Sequence, residues 1–117
     1  MKHRVIIDCD PGADDAVALM LALASPSEID ILGITTAAGN VPSRLTQKNA
    51  LMLCEFAGKA QVPVHAGCDR PLMRPALHAD VHGASGIDGF PGFEPRTKAS
   101  ARHAVDFLID TLLAEED

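Results

Sequence analysis

The apolar positions of this chain come in short β-branched runs that alternate with longer stretches of helix formers. Val5-Ile6-Ile7, closing on Asp8-Cys9-Asp10, predicts a buried strand over 3–9. Pro11-Gly12 breaks it sharply. Residues 13–24, ADDAVALMLALA, are apolar nearly all round after Asp15 and predict a buried helix. Its acidic first turn suits the positive end of the helix dipole, and Ser25-Pro26-Ser27 ends it. Ile29 to Thr36 predicts a second strand, followed by the small-residue turn Ala37-Ala38-Gly39-Asn40. A second helix is expected over 43–58, with Leu45, Met52, Leu53 and Phe56 at helical spacing and Gly58 as its stop. Val62-Pro63-Val64-His65 predicts a short third strand.

Residues 67–97 change character. They hold Pro71, Pro75, Pro91 and Pro95 among Gly67, Gly83, Gly86, Gly89 and Gly92. So long an irregular segment in a compact domain is usually functional or disordered. Beyond it, Ala101, Val105, Leu108, Ile109 and Leu112 form an apolar stripe, predicting an amphipathic helix over 99–114. The order β-α-β-α-β-loop-α implies one α/β domain over 1–117, with an open, mainly parallel sheet and helices on both faces. The last helix, running to Glu115-Glu116-Asp117, has no strand after it, so the βα repeat is expected to be cut short.

Composition narrows the function classes. The net charge is −6 with no basic cluster, and the only aromatics are four Phe. A nucleic-acid partner is therefore not expected. No run approaches the length of a membrane span, and the N-terminal apolar stretch is too short for a signal peptide. A cytoplasmic location without membrane association is expected. Cys9, Cys54 and Cys68 show no disulfide or zinc spacing, and Cys9 and Cys54 are expected to be buried thiols.

The chemistry concentrates in Asp8, Asp10, Asp14 and Asp15. Strand end and helix start meet at the carboxyl edge of the sheet, where open α/β folds place ligands. At ~4 Å and an effective dielectric of ~20, each like-charge pair costs about 4 kcal/mol. Protonation or a divalent cation relieves that repulsion. The hard oxygen donors point to Ca2+ or Mg2+. One or two aspartates at a helix start need only be caps; Asp8 is the one expected to be purely structural.

The run Asp8-Cys9-Asp10-Pro11-Gly12-Ala13-Asp14-Asp15-Ala16 resembles the DxDPGxDDxxA signature of the inosine-uridine preferring nucleoside hydrolases. Thr35 to Val41, Pro63 to Gly67 with Pro71-Leu72, and His82-Gly83-Ala84-Ser85-Gly86 resemble later blocks of that family, in the same order. The resemblance implies a Rossmann-like open sheet and a ribonucleoside hydrolase that splits the N-glycosidic bond to ribose and free base in purine and pyrimidine salvage. It implies Ca2+ as cofactor, held by Asp10 and Asp15, with Asp10 also taking a proton from the attacking water. It places Asp14 on the ribose hydroxyls, Asn40 near the water and sugar, and His82 on the leaving-group side. It further implies a nucleoside substrate. A homo-oligomer is expected because uncovered sheet and helix faces favour association. Family members are more than twice as long, and their later half supplies further ligands.

Other residues have plainer expectations. His65 is expected to be structural, and His78 and His103 lack a supporting constellation. Asn49 is expected to bond locally, and Arg70 and Arg74 to be solvated. Two competing functions stand beside the resemblance. One is a Mg2+-dependent phosphohydrolase of the haloacid dehalogenase type, which also places Asp-x-Asp after a strand. The other is a non-catalytic fragment that binds metal or self-associates.

Overall fold

The computed structural model describes residues 1–115; Glu116 and Asp117, expected at the end of the last helix, lie outside the described residues. Its elements are β1 (His3–Cys9), α1 (Ala13–Leu23), β2 (Ile29–Thr36), α2 (Ser43–Phe56), β3 (Val64–Ala66) and α3 (Ala104–Ala114). The strands form a three-stranded parallel sheet in the order β1-β2-β3. Pairing of β1 with β2 begins at His3–Ile29 and ends at Cys9–Thr36, with a bulge that leaves Leu32 as an extra residue opposite Val5/Ile6.

The helices cover both faces. Ile34 is fully buried with Leu19 and Leu23 of α1 and Leu51, Leu53 and Cys54 of α2. The adjacent Gly33 points the other way, since side chains alternate along a strand. There the Phe107 ring of α3 lies so close that a Cβ on Gly33 would come within 2.6 Å of it. Phe107 also stacks on His65, with ring centroids 4.0 Å apart. His65 is buried and its Nδ1–H donates to the Arg102 carbonyl at 3.0 Å, so its expected structural role is what the packing shows.

Local chemistry sets the helix ends. Gly58 adopts φ +69° after α2. Its N–H and that of Lys59 return to the carbonyls of Glu55 and Cys54, a paired closure that needs the left-handed glycine.

Three expectations are corrected. α1 is buried along one side only: Leu19 and Leu23 are inside, while Val17 and Leu21 are about 70% exposed. The strand β3 is Val64–Ala66, without Val62 and Pro63. The last helix starts at Ala104, because the Ser100 N–H donates to the Val64 carbonyl and ties the chain before the helix to β3. The His103 ring then caps the helix by accepting from the Val105 N–H at 3.1 Å. Its inner side is Ala104, Phe107, Leu108 and Thr111; Val105, Ile109 and Leu112 of the expected stripe stand in solvent, and Ala101 is outside the helix. No helix among the described residues is long and apolar enough to cross a membrane.

Candidate active site

The site forms where β1 and β2 end and the glycine turns begin. Asp10 lies just past β1, half-buried, and its Oδ2 accepts from the Asn40 backbone N–H at 2.8 Å. The Asn40 carboxamide donates back to the Asp10 carbonyl at 3.0 Å. This two-way clasp requires glycines: a Cβ on Gly39 would sit 2.1 Å from Asp10 Oδ2, and one on Gly12 would sit 2.6 Å from the Asn40 amide nitrogen. The Asp10 N–H in turn donates to Asp15 Oδ2 at 3.1 Å. Strand end, turn and helix start are therefore tied together through backbone amides.

Asp14 is exposed on the first turn of α1. His82 comes from the long loop and lies over the same helix end. Its Nδ1 accepts from the Ala13 N–H at 3.1 Å, and its Nε2 lies 3.8 Å from Asp14 Oδ1. Gly12 at the N-cap position has no side chain to cap α1, and His82 takes that part across 69 residues of sequence. With Nδ1 as acceptor, the neutral ring carries its proton on Nε2.

Asp8 turns away from this group. Its Oδ1 accepts from Thr35 Oγ1 at 2.6 Å, and it lines a groove with Ile6 and Leu108 on the α3 side. The structure thus brings together Asp10, Asp14, Asp15, Asn40 and His82 and leaves Asp8 as a strand-to-strand tie. Two further polar groups join the site edge without having been expected there. His78 Nδ1–H donates to the Gly39 carbonyl at 2.9 Å. Asn49 of α2 donates to the carbonyls of Pro11 and Ser85, so it bonds across the fold rather than locally. The one sequence signal for Asn49 is an amide directly before the apolar run Ala50 to Cys54.

Electrostatics follow from burial first and from crowding second. Burial pushes the Asp15 carboxyl above its ordinary value. The Asp10 N–H opposes this, while the charges of Asp14 and Asp10 and a side-chain hydrogen bond with Asp10 add to it. Cys9 is half-buried rather than fully buried. Its thiol is pushed up to about 12, first by burial and then by the charges of Asp15, Asp8 and Asp10. Cys54 is buried and raised to about 11 by burial and by Glu55. Among the described residues all three cysteines are free.

Asp10 and Asp15 offer only hard carboxylate oxygens, and the charges of Asp14 and Asp10 add to the burial that raises the Asp15 carboxyl. That donor set fits a cation such as Ca2+. It is a partial shell, since Ca2+ takes about six to eight oxygens. Among the described residues no three His, Cys, Asp or Glu side chains converge to hold a metal ion.

The family model for inosine-uridine preferring nucleoside hydrolases matches residues 5–117. The chain belongs to that family. It is 48% identical over 117 residues to the pyrimidine-specific ribonucleoside hydrolase RihB of Escherichia coli, covering 98% of this chain and 36% of RihB. It is 51% identical over 114 residues to an uncharacterized Schizosaccharomyces pombe protein, covering 97% of this chain and 36% of that one. Among solved structures, a plant nucleoside hydrolase superposes with a TM-score of 0.88 at 40% identity, over 97% of this chain and 36% of the other. A purine-preferring ribonucleoside hydrolase from Gardnerella vaginalis gives 0.87 at 31% identity, over 96% and 37%. This nucleoside hydrolase chain thus spans about 36% of the length of the curated relatives it matches. The expected α/β fold with a parallel open sheet is the family's fold.

Proposed function

We propose that the chain carries the sugar-facing part of a ribonucleoside hydrolase site, where water cleaves a nucleoside N-glycosidic bond to give ribose and a free base. The observation that supports this most is the hydrogen-bonded convergence of Asp10, Asp15, Asn40 and His82 at one sheet edge of a nucleoside hydrolase family member. Glycosidic cleavage passes through an oxocarbenium-like sugar. A cluster of carboxylates beneath the ring stabilises that developing positive charge.

The residues divide the work by position. Asp10 is the general base that takes a proton from the attacking water; Asn40 fixes its carboxylate through the backbone N–H. Asp14, exposed at the helix start, accepts from ribose hydroxyls. Asn40 borders the water and the sugar. His82, with its proton on Nε2, donates toward the departing base. Asp10 and Asp15 would hold Ca2+, which when bound grips the ribose diol and acidifies water. The domain is the N-terminal part of a nucleoside hydrolase domain, acting in cytoplasmic nucleoside salvage as a homo-oligomer.

The test is release of p-nitrophenolate from p-nitrophenyl riboside by the full chain in Ca2+, with and without chelator. Turnover that falls roughly 100-fold or more in Asp10→Asn supports the proposal. Hydrolysis of p-nitrophenyl phosphate instead would favour a phosphohydrolase. Absence of both would favour a non-catalytic chain, a reading to which the two-carboxylate partial shell lends weight.

A further inference from the structure

We propose that Asn49 is a positioning residue that locks the loop carrying His82 to the turn carrying Asp10 and Asp15, so that both sides of the site are held as one rigid unit. Its bearing on catalysis rests on the nucleoside hydrolase reading above; its bearing on geometry does not.

Asn49 is 1% exposed, in the middle of α2. An amide buried there has a high desolvation cost unless its donors are used. Its Nδ2 donates to the Pro11 carbonyl at 3.0 Å and to the Ser85 carbonyl at 2.8 Å. These acceptors lie in two segments more than 70 residues apart in sequence. One planar NH2 group fixes the distance between them.

Each acceptor leads directly to the site. Pro11 follows Asp10 and precedes the Gly12 turn into α1. Ser85 is three residues after His82, in a loop that is bonded to itself. The Ser85 N–H and hydroxyl both donate to Asp88 Oδ1, and Ile87 is buried beneath. Gly86, at φ +87°, presses its backbone onto the clasp: a Cβ there would lie 3.2 Å from Asn49 Nδ2 and 3.3 Å from the Pro11 carbonyl. The circuit closes where His82 Nδ1 accepts from the Ala13 N–H. Pro11, Asn49, Ser85, His82 and Ala13 thus form a ring of contacts around the helix start. The three nearest replacements fail at the ring centre: Asp has no donor at neutral pH, Leu has none at all, and Gln adds a methylene to a packed site.

The experiment uses the full chain and NMR. In the native protein both Asn49 carboxamide protons should be protected from exchange, with through-hydrogen-bond couplings to the carbonyl carbons of Pro11 and Ser85. Exchange of both protons at the free-amide rate would overturn the proposal. In Asn49→Leu the His82 ring nitrogens should lose their fixed tautomer signature. The Ala13 amide should then exchange roughly fivefold to tenfold faster, the equivalent of one hydrogen bond. A folded Asn49→Leu chain in which the His82 signature and the Ala13 protection are both unchanged would show that Asn49 only fills space. Should Asn49→Leu not fold, the native carboxamide measurement decides. Neither reading uses substrate, so a chain that fails to hydrolyse nucleosides still answers this question.

Discussion

The long segment between β3 and α3 contains two regions with opposite physics. From Asp69 to Val81 every residue is exposed, including Leu72, Met73, Leu77 and Val81 at 87% or more. From His82 to Phe90 the chain is equally irregular, yet Gly86 and Ile87 are buried and its polar groups are bonded to Asp88, Asn49 and Ala13. Both stretches lack regular structure, so the difference is not secondary structure. It is the presence of three glycines at positive φ, which let the second stretch fold its backbone against α2. An irregular loop can be as firmly placed as a helix when its backbone groups find partners.

The comparison is broken most severely by filling the glycine turns that the ordered region leans on. Gly39→Ala places a Cβ against Asp10 Oδ2 and is expected to cost about 3 kcal/mol, read as a lower urea midpoint. Next, Ile87→Ala removes the buried anchor of the ordered stretch and should cost about 2 kcal/mol. Leu77→Ala, in the exposed stretch, should stay within about 0.5 kcal/mol of native. Equal losses for these two would erase the distinction.

Thiol chemistry sharpens it further. Cys68 stands at the start of the exposed stretch, whereas Cys54 in α2 has its thiol raised to about 11. At pH 8 roughly one Cys54 in a thousand is thiolate. Iodoacetamide should therefore modify Cys68 at least about 100-fold faster, as followed by peptide mass mapping. The linkage has a definite sign. The folded pKa of Cys54 lies above the ordinary 9.0, so its contribution to stability is full below pH 9 and is lost as pH rises through about 11. Cys54→Ala should show less loss of urea midpoint over that alkaline range than the native chain. The smallest effect lies at Asp88, whose carboxyl is held below its ordinary 3.8 by the Ser85 hydroxyl and N–H. That contribution is present above 3.8 and lost as pH falls through the lower folded value. The Ser85 amide shift should track the loss, and Ser85→Ala should bring the Asp88 titration back toward 3.8.

Much of the fold was legible because it is local. The β-branched runs of β1 and β2 mark their strands at 3–9 and 29–36, and Gly58 marks the end of the second helix. What escaped was decided at a distance. The start of α3 moved to Ala104 because Ser100 found a partner on β3, which no helical periodicity in 99–114 could reveal. α1 is as apolar as a core helix, yet its Val17 side faces solvent, since a sequence gives the amount of apolar surface but not what covers it. At the site, Asp10 and Asp15 announce themselves by clustering. The His82 cap and the Asn49 clasp join residues far apart in the chain, and spacing alone carries no sign of such closure.

The extra residue at Leu32 reaches further than its own kink. Upstream of it β1 and β2 are offset by 26 positions, as in His3–Ile29; downstream the offset is 27, as in Cys9–Thr36. Under the earlier offset Asp8 would stand opposite Ile34 instead of Thr35, and its acid would meet a hydrocarbon in place of a hydroxyl. A single inserted peptide acts as a vernier, sliding one ribbon past its neighbour by one notch so that acid and alcohol finish level at the rim.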